Sequence, residues 1–329
     1  MGKATGLEEV RRLITGTRSA LVLGHQYPDG DAIGSVLGLG LMLAAAGYDV
    51  QASWPEPFEM PEKYLFLPGM SLLVPPAGIK PGFGVSIALD CANERRLEEL
   101  QEPALAVPLV NIDHHPDNSQ FGRANLVDPA AASTSQIVYS LIEPLCLVLD
   151  RDSATCLYAG LVTDTGRFQF SNVTAETLRI AAQLVAAGVE PHRVYENIYQ
   201  SDSLSYIRLA GDVLCRAVYD GDLGLIYGYV SQEDLSKFGV KMNETEDLID
   251  NLRALRGHKI VALFKEQKDG TVRVSLRSRS DTDIGSIARK LGGGGHRVAA
   301  GYTSDKRGID DALLQLKEEI IASGRDTDN

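Results

Sequence analysis

Residues 21–35, LVLGHQYPDGDAIGS, decide the fold, because a short apolar run stops at Gly24 and delivers His25, Asp29 and Asp31 in quick succession. Residues 20–24 suit a strand buried on both faces. Residues 25–31 then read as a loop, since Pro28 disfavours helix at Tyr27 and Gly30 permits unusual backbone angles. The apolar run over 32–46 predicts a buried helix ending at Gly47, and a second strand follows around 50–54. That is a β-α-β unit. An amphipathic helix over 7–18, with Leu7, Val10, Leu13 and Ile14 on one face, leads into it.

Working outward, the same arrangement recurs. Residues 85–89 form an apolar strand with Asp90 at its end, and residues 106–112 form another that ends in Asp113, His114 and His115. Between them, the proline-rich stretch 55–81 reads as a loop with one short helix near 62–66. Residues 133–143 predict a helix whose Ser133-x-x-Gln136 start fits a capping box. Further helices cover 152–163, carrying Asp164, and 175–187, closed by Gly188. Strands alternating with helices predict an α/β domain over 1–190, a mostly parallel sheet flanked by helices. Ligands of such sheets bind beyond the carboxyl ends of the strands, where these His and Asp groups fall.

The pattern then changes. Residues 191–211 are polar and aromatic, with Tyr195, Tyr199 and Tyr206, and read as a linker. Beyond it, residues 213–219, 225–230, 260–266 and 271–277 alternate like strands, with Asp220-Gly221 and Asp269-Gly270 as turn signals. Helices are expected over 243–256, 283–291 and 309–322. This is a smaller α+β domain over 212–329, and the active site is expected in the cleft between the two.

A chain of 329 residues accommodates two cores. Its net charge of -12 argues against general affinity for duplex DNA. The apolar run at 32–46 is shorter than the ~20 residues a membrane span needs. The N-terminus has acids before its apolar run and no small-residue cleavage site, so no signal peptide is expected. Cys91, Cys146, Cys156 and Cys215 are scattered without a C-x-x-C pair, which suits small hydrophobes in a reducing cytoplasm. Between Arg253 and Arg297, however, eleven Lys and Arg face four acids, a local charge of +7 that offers a face to an anionic substrate. With aromatic content at only 6%, a long base-stacking groove is disfavoured and a small substrate favoured.

His25, Asp29, Asp31, Asp90, His114 and Asp164 together supply two imidazoles and four carboxylates. Four carboxylates in one crevice repel unless cations neutralise them, and two divalent ions carry the matching charge. The mixed nitrogen and oxygen donors suit Mn²⁺, with Mg²⁺, Co²⁺ or Fe²⁺ as alternatives. Two such ions can hold a bridging hydroxide and polarise phosphoryl oxygens for in-line attack. Glycines 292–295 would let backbone N–H groups approach a phosphate, with His296 as a further donor.

His25-Gln-Tyr-Pro-Asp29-Gly-Asp31, Asp90, Asp113-His114-His115 and Thr163-Asp164-Thr165-Gly166 resemble, in order, the four signature motifs of the DHH phosphoesterases. Gly292-Gly-Gly-Gly-His296 resembles the GGGH signature of the DHHA1 domain that often follows them. The resemblance implies that the six residues hold two metals with Asp90 and Asp164 shared, that His115 faces the substrate phosphate, and that Asp113 supports it from behind. It also implies substrate contacts at Arg96, Ser275, Arg277, Arg279, Gly293, Gly294, Gly295 and His296. Stand-alone members of this kind degrade very short RNA to nucleoside monophosphates, and many dephosphorylate 3′-phosphoadenosine 5′-phosphate. A cyclic di-AMP or pApA phosphodiesterase is the nearest alternative, and a nucleotide-binding regulator without activity the non-enzyme one. The implied partners are short single strands or small nucleotides, and homodimerisation is left open.

Overall fold

The computed structural model describes residues 2–279, 282–295 and 297–326, which form two compact units, Met1–Ser201 and Asp202–Asn329. The first unit runs α1 (Gly2–Thr15), β1 (Ser19–Leu23), α2 (Gly30–Ala45), β2 (Asp49–Ser53), β3 (Val85–Leu89), α3 (Gln101–Leu105), β4 (Leu109–Asp113), β5 (Ala124–Val127), α4 (Thr134–Ser140), α5 (Arg151–Asp164), α6 (Ala175–Ala186) and α7 (Pro191–Tyr199). Its five strands are all parallel in the order β2-β1-β3-β4-β5. β3 and β4 are buried along their whole length because alternate residues enter different cores: Ile87 and Leu89 face α2 and its neighbours, while Ala88 packs with Leu21, Leu23 and Leu97.

This order places the site. The chain leaves β1 for β2 on one side and returns to β3 on the other, so the connections after β1 and β3 diverge and open a crevice at their carboxyl ends. Capping fixes the helices that line it. Asp29 Oδ1 accepts from the Asp31 and Ala32 N–H groups and starts α2. Ser133 Oγ accepts from the Gln136 N–H at the start of α4. The reciprocal half of the expected capping box is absent, because Gln136 Oε1 accepts from the Ala132 N–H and the Thr177 hydroxyl instead.

The second unit runs α8 (Leu204–Cys215), β6 (Val218–Asp220), β7 (Leu225–Val230), α9 (Gln232–Phe238), α10 (Leu248–Arg253), β8 (Ile260–Glu266), β9 (Thr271–Ser278), α11 (Ile284–Lys290), β10 (Gly294–Gly295), β11 (Ala299–Arg307) and α12 (Ile309–Asp326). Its mixed sheet has the order β10-β11-β9-β8-β7-β6, parallel only at β7–β8. One face packs Ala262, Phe264, Val274 and Leu276 with residues of α11 and α12, and Val261 and Leu263 on the other meet α8 and α10.

Two readings of the sequence change here. Residues 213–219 are not one strand: α8 continues to Cys215, because Leu209 and Val213 share the helical face buried with Leu252, and only Val218–Asp220 is extended. Residues 191–211 carry α7 and most of α8, and the two units divide between Ser201 and Asp202. No helix among the described residues is long and apolar enough to cross a membrane.

Candidate metal centre

The carboxyl ends of β1, β3 and β4 and the helices α2 and α5 contribute in turn. His25 follows β1, Asp31 sits in the first turn of α2, Asp90 directly follows β3, Asp113 ends β4 with His114 and His115 after it, and Asp164 is the last residue of α5. Ligand atoms of His25, Asp29 and Asp90 lie within 4.8 Å of one another, as do those of Asp31, His114 and Asp164 and those of Asp90, His114 and His115. His25 Nε2 is 3.6 Å from Asp90 Oδ2 and 4.0 Å from Asp29 Oδ1, and His114 Nε2 is 3.6 Å from Asp90 Oδ1 and 3.5 Å from Asp164 Oδ2. All six candidate ligands therefore share one crevice, with Asp90 and His114 linking the groups.

The backbone and neighbouring side chains orient these groups. Asp90 adopts a left-handed φ of 59°, a conformation Asp tolerates better than most residues. Its Oδ1 accepts from the Thr134 hydroxyl at 2.9 Å. The buried Asp31 carboxylate accepts from the backbone N–H groups of Thr134 (2.6 Å) and Ser135 (2.9 Å), so the N-terminus of α4 aims it. Neither Thr134 nor Ser135 stands out in sequence. The Ser-Thr-Ser run at a helix start is the one signal that could have pointed to them.

His25 Nδ1 is 2.8 Å from the Gln26 carbonyl, to which it can donate, and that tautomer leaves the Nε2 lone pair facing Asp90. Arg96 Nη2 lies 3.0 Å from the same Nδ1, a hydrogen bond available only in the other tautomer. Arg96 is thus beside the centre, and its carbonyl accepts from the Gln26 N–H. His115 Nδ1 donates to Asp113 Oδ1 at 2.8 Å, and Asp113 Oδ2 accepts from Asn118 Nδ2 at 2.6 Å. Asn118, which sequence reading missed, fixes the fully buried Asp113 from behind.

Burial raises the Asp31 and Asp164 carboxyls well above the ordinary range, and repulsion adds to it, from Asp90 at Asp31 and from Asp31, Asp29 and Asp90 at Asp164. Burial acts upward on Asp90 too, but the surrounding imidazoles of His25, His115 and His114 outweigh it and hold that carboxyl low. Burial pushes His114 down, towards the neutral form that can ligate a metal. In His115 burial is overridden by the Asp113 hydrogen bond and the Asp90 charge, which push the imidazole up to about 10. Buried carboxylates that repel one another beside a neutral imidazole are what divalent cations neutralise, so the donor set fits the metals expected of it.

Apart from Arg96, the residues expected to contact substrate lie in the second unit. Ser275 and Gly294 pair with Gly301 from opposite sides, and Arg277 pairs with Ala299 two residues along β9. Gly294 and Gly295 form β10, whereas the Gly293 N–H donates to the Ala288 carbonyl and caps α11. A side chain at Gly293 would come within 2.1 Å of the Gly301 carbonyl oxygen, so this glycine also lets the chain approach β11. Arg279 is exposed and its Nη1 donates to the Leu255 carbonyl, while His296 lies outside the described residues. The basic window is less free than its charge suggests. Lys265 is fully buried against Glu246 at 2.7 Å, Arg273 shares that carboxylate, and Arg253 and Lys290 pair with Asp250 and Glu319.

Residues 19–161 match the DHH family, N-terminal domain, and residues 222–322 match the DHHA1 domain. Over 308 residues the sequence is 35% identical to the bifunctional oligoribonuclease and PAP phosphatase NrnA of Thermus thermophilus, across 91% of this chain and 90% of that one. The chain belongs to the DHH phosphoesterase family. The Bacillus subtilis protein of the same name is 30% identical over 304 residues, covering 89% of this chain and 91% of its own. An exopolyphosphatase-related protein from Bacteroides fragilis shares the fold, with a TM-score of 0.88 at 24% identity over 97% of this chain and 96% of that one. As a DHH-family member the chain is a phosphoester hydrolase, built from a parallel sheet flanked by helices and a second mixed-sheet domain.

Proposed function

We propose that this DHH phosphoesterase hydrolyses short single-stranded oligoribonucleotides to nucleoside monophosphates and removes a phosphate from 3′-phosphoadenosine 5′-phosphate, in the cytoplasm. One observation carries the reading: the six candidate ligands fall into two adjoining groups, with the Asp113-held His115 at their edge. His25, Asp29 and Asp90 would hold one divalent ion and Asp31, His114 and Asp164 the other, with Asp90 and Asp164 shared and Mn²⁺ the preferred metal. Bound ions there supply an activated water and neutralise the phosphoryl oxygens. The protein's own share follows from the hydrogen bonds. Asp113 occupies His115 Nδ1, so Nε2–H is the donor left to this cationic ring at neutral pH. Directed at the phosphate, it steadies charge on a phosphoryl oxygen or protonates the leaving oxygen. Arg96, Ser275, Arg277, Arg279 and glycines 293–295 serve as substrate contacts.

The test is a product time course with Mn²⁺ on RNA and DNA of graded length from dinucleotides upward, 3′-phosphoadenosine 5′-phosphate, pApA and cyclic di-AMP. Mononucleotides released fastest from the shortest RNA support the reading. Faster turnover of cyclic di-AMP or pApA would replace it with the dinucleotide phosphodiesterase, and binding without any turnover would remove the enzyme.

A further inference from the structure

We infer that Arg167 is a substrate-phosphate contact, held ready by the ring of Tyr199; this rests on the phosphoesterase reading above. The turn after Asp164 is unusual, because Gly166, Arg167 and Phe168 have successive left-handed φ values of 52°, 64° and 62°, two of them at residues with a side chain. Such backbone persists only where surrounding structure over-determines it, and it concentrates at functional sites.

Here it is over-determined. A side chain at Gly166 would come within 2.1 Å of the Phe170 ring, so only glycine fits. The Arg167 N–H donates to the Val162 carbonyl at 2.8 Å, the Phe168 N–H donates to Thr165 Oγ1 at 3.2 Å, and the Phe168 ring packs edge-on to Tyr158. The turn therefore delivers the Arg167 side chain from a fixed base three residues past a candidate metal ligand.

What it delivers is a cation with no anion. The guanidinium lies over the Tyr199 ring, 4.8 Å from its centroid, and the Tyr199 hydroxyl donates to the Val162 carbonyl at 3.4 Å. Tyr195 packs 5.2 Å away on the same helix. Among the described residues no carboxylate is within ion-pair distance of Arg167, and its buried Nε has no hydrogen-bond partner. In the same unit Arg151, by contrast, pairs with Glu190. Stacking on a ring occupies the face of a guanidinium and leaves its in-plane N–H groups for oxygen acceptors. A phosphate oxygen matches that edge, and the phosphate of a short nucleotide is the anion this family's chemistry brings here.

The test uses the full chain with Arg167→Gln, Arg167→Lys and Tyr199→Leu. The readouts are KM and kcat on a two-nucleotide RNA with Mn²⁺, the calorimetric Kd for 3′-phosphoadenosine 5′-phosphate with Ca²⁺ replacing Mn²⁺, Mn²⁺ affinity and the thermal midpoint. Arg167→Gln should raise KM and Kd by about tenfold to hundredfold, the loss of a charge-assisted hydrogen bond, with Mn²⁺ affinity unchanged. Arg167→Lys should recover part of this, and Tyr199→Leu should move Kd in the same direction by less. A stacking role confined to holding α7 would lower the thermal midpoint of Arg167→Gln and leave Kd within about twofold, which overturns the assignment while a wild type that cleaves the RNA still stands as a phosphoesterase. A wild type without turnover overturns both.

Discussion

Gly34→Ala tests the packing that brings the candidate metal ligands together. Gly34 lies one turn into α2 beyond Asp31, and it faces α5 around Gly160, one turn before Asp164. A Cβ added at Gly34 would sit 2.5 Å from the Cys156 carbonyl oxygen and 2.8 Å from the Gly160 nitrogen, both backbone atoms that no side-chain rotation can move away. Ordinary contact begins near 3.4 Å, so the helices must part by about 0.9 Å. Overpacking of this kind costs about 1–3 kcal/mol. At about 2–4 °C per kcal/mol for a unit of this size, the thermal midpoint should fall by roughly 2–12 °C. The separation also moves Asp164 away from Asp31 and His114, and displacements near 1 Å can cost about a hundredfold in rate. Calorimetric Mn²⁺ titration, thermal unfolding and kcat on a dinucleotide would measure all three effects. Gly211→Ala is the control, since it is exposed on α8 with nothing within 4 Å and should be neutral or stabilising by up to about 1 kcal/mol. A Gly34→Ala protein that melts within about a degree of wild type and binds Mn²⁺ within about twofold would refute the reasoning.

Other expectations follow from single contacts. His115→Ala should lower kcat by about a hundredfold to ten-thousandfold while both ions stay bound, and loss of metal by elemental analysis would mean His115 is a ligand. In metal-free protein His115 is raised from its ordinary value to about 10, so its bond to Asp113 stabilises the fold fully below about pH 6.5 and progressively less up to about pH 10. The difference in thermal midpoint between wild type and His115→Asn in a chelator should accordingly shrink over that window; a constant difference would contradict the pairing. Glu246→Gln should destabilise the second unit by on the order of 2 kcal/mol, because it strands the fully buried Lys265 cation, with some relief from the partial exposure of position 246. Lys265→Met should cost less than Glu246→Gln in urea titrations, since it removes the buried charge itself.

Much of the fold was legible in the residues. The limits of β3, β7 and β8 coincide with apolar runs bounded by turn formers, because a strand inside a sheet takes its sequence from what covers it. β11 was not legible: AAGYTSDKR is half polar, and it is extended because it fills the space between β9 and β10. α9 also escaped notice, although Ser231 caps it and Gly239 ends it in a left-handed turn.

The site divides in the same way. The sequence alone determined which chemical groups are present and that each follows an apolar run, since a parallel sheet presents all its carboxyl ends on one edge. Only the tertiary structure decided their electrostatic states. Asp31 receives its hydrogen bonds from Thr134 and Ser135, more than a hundred residues away, and Asp113 is fixed by Asn118. Likewise, Lys265 reads as part of a binding face until the sheet buries it beside Glu246. Type and order are local properties of a chain, whereas burial and charge partners depend on which distant segments pack together.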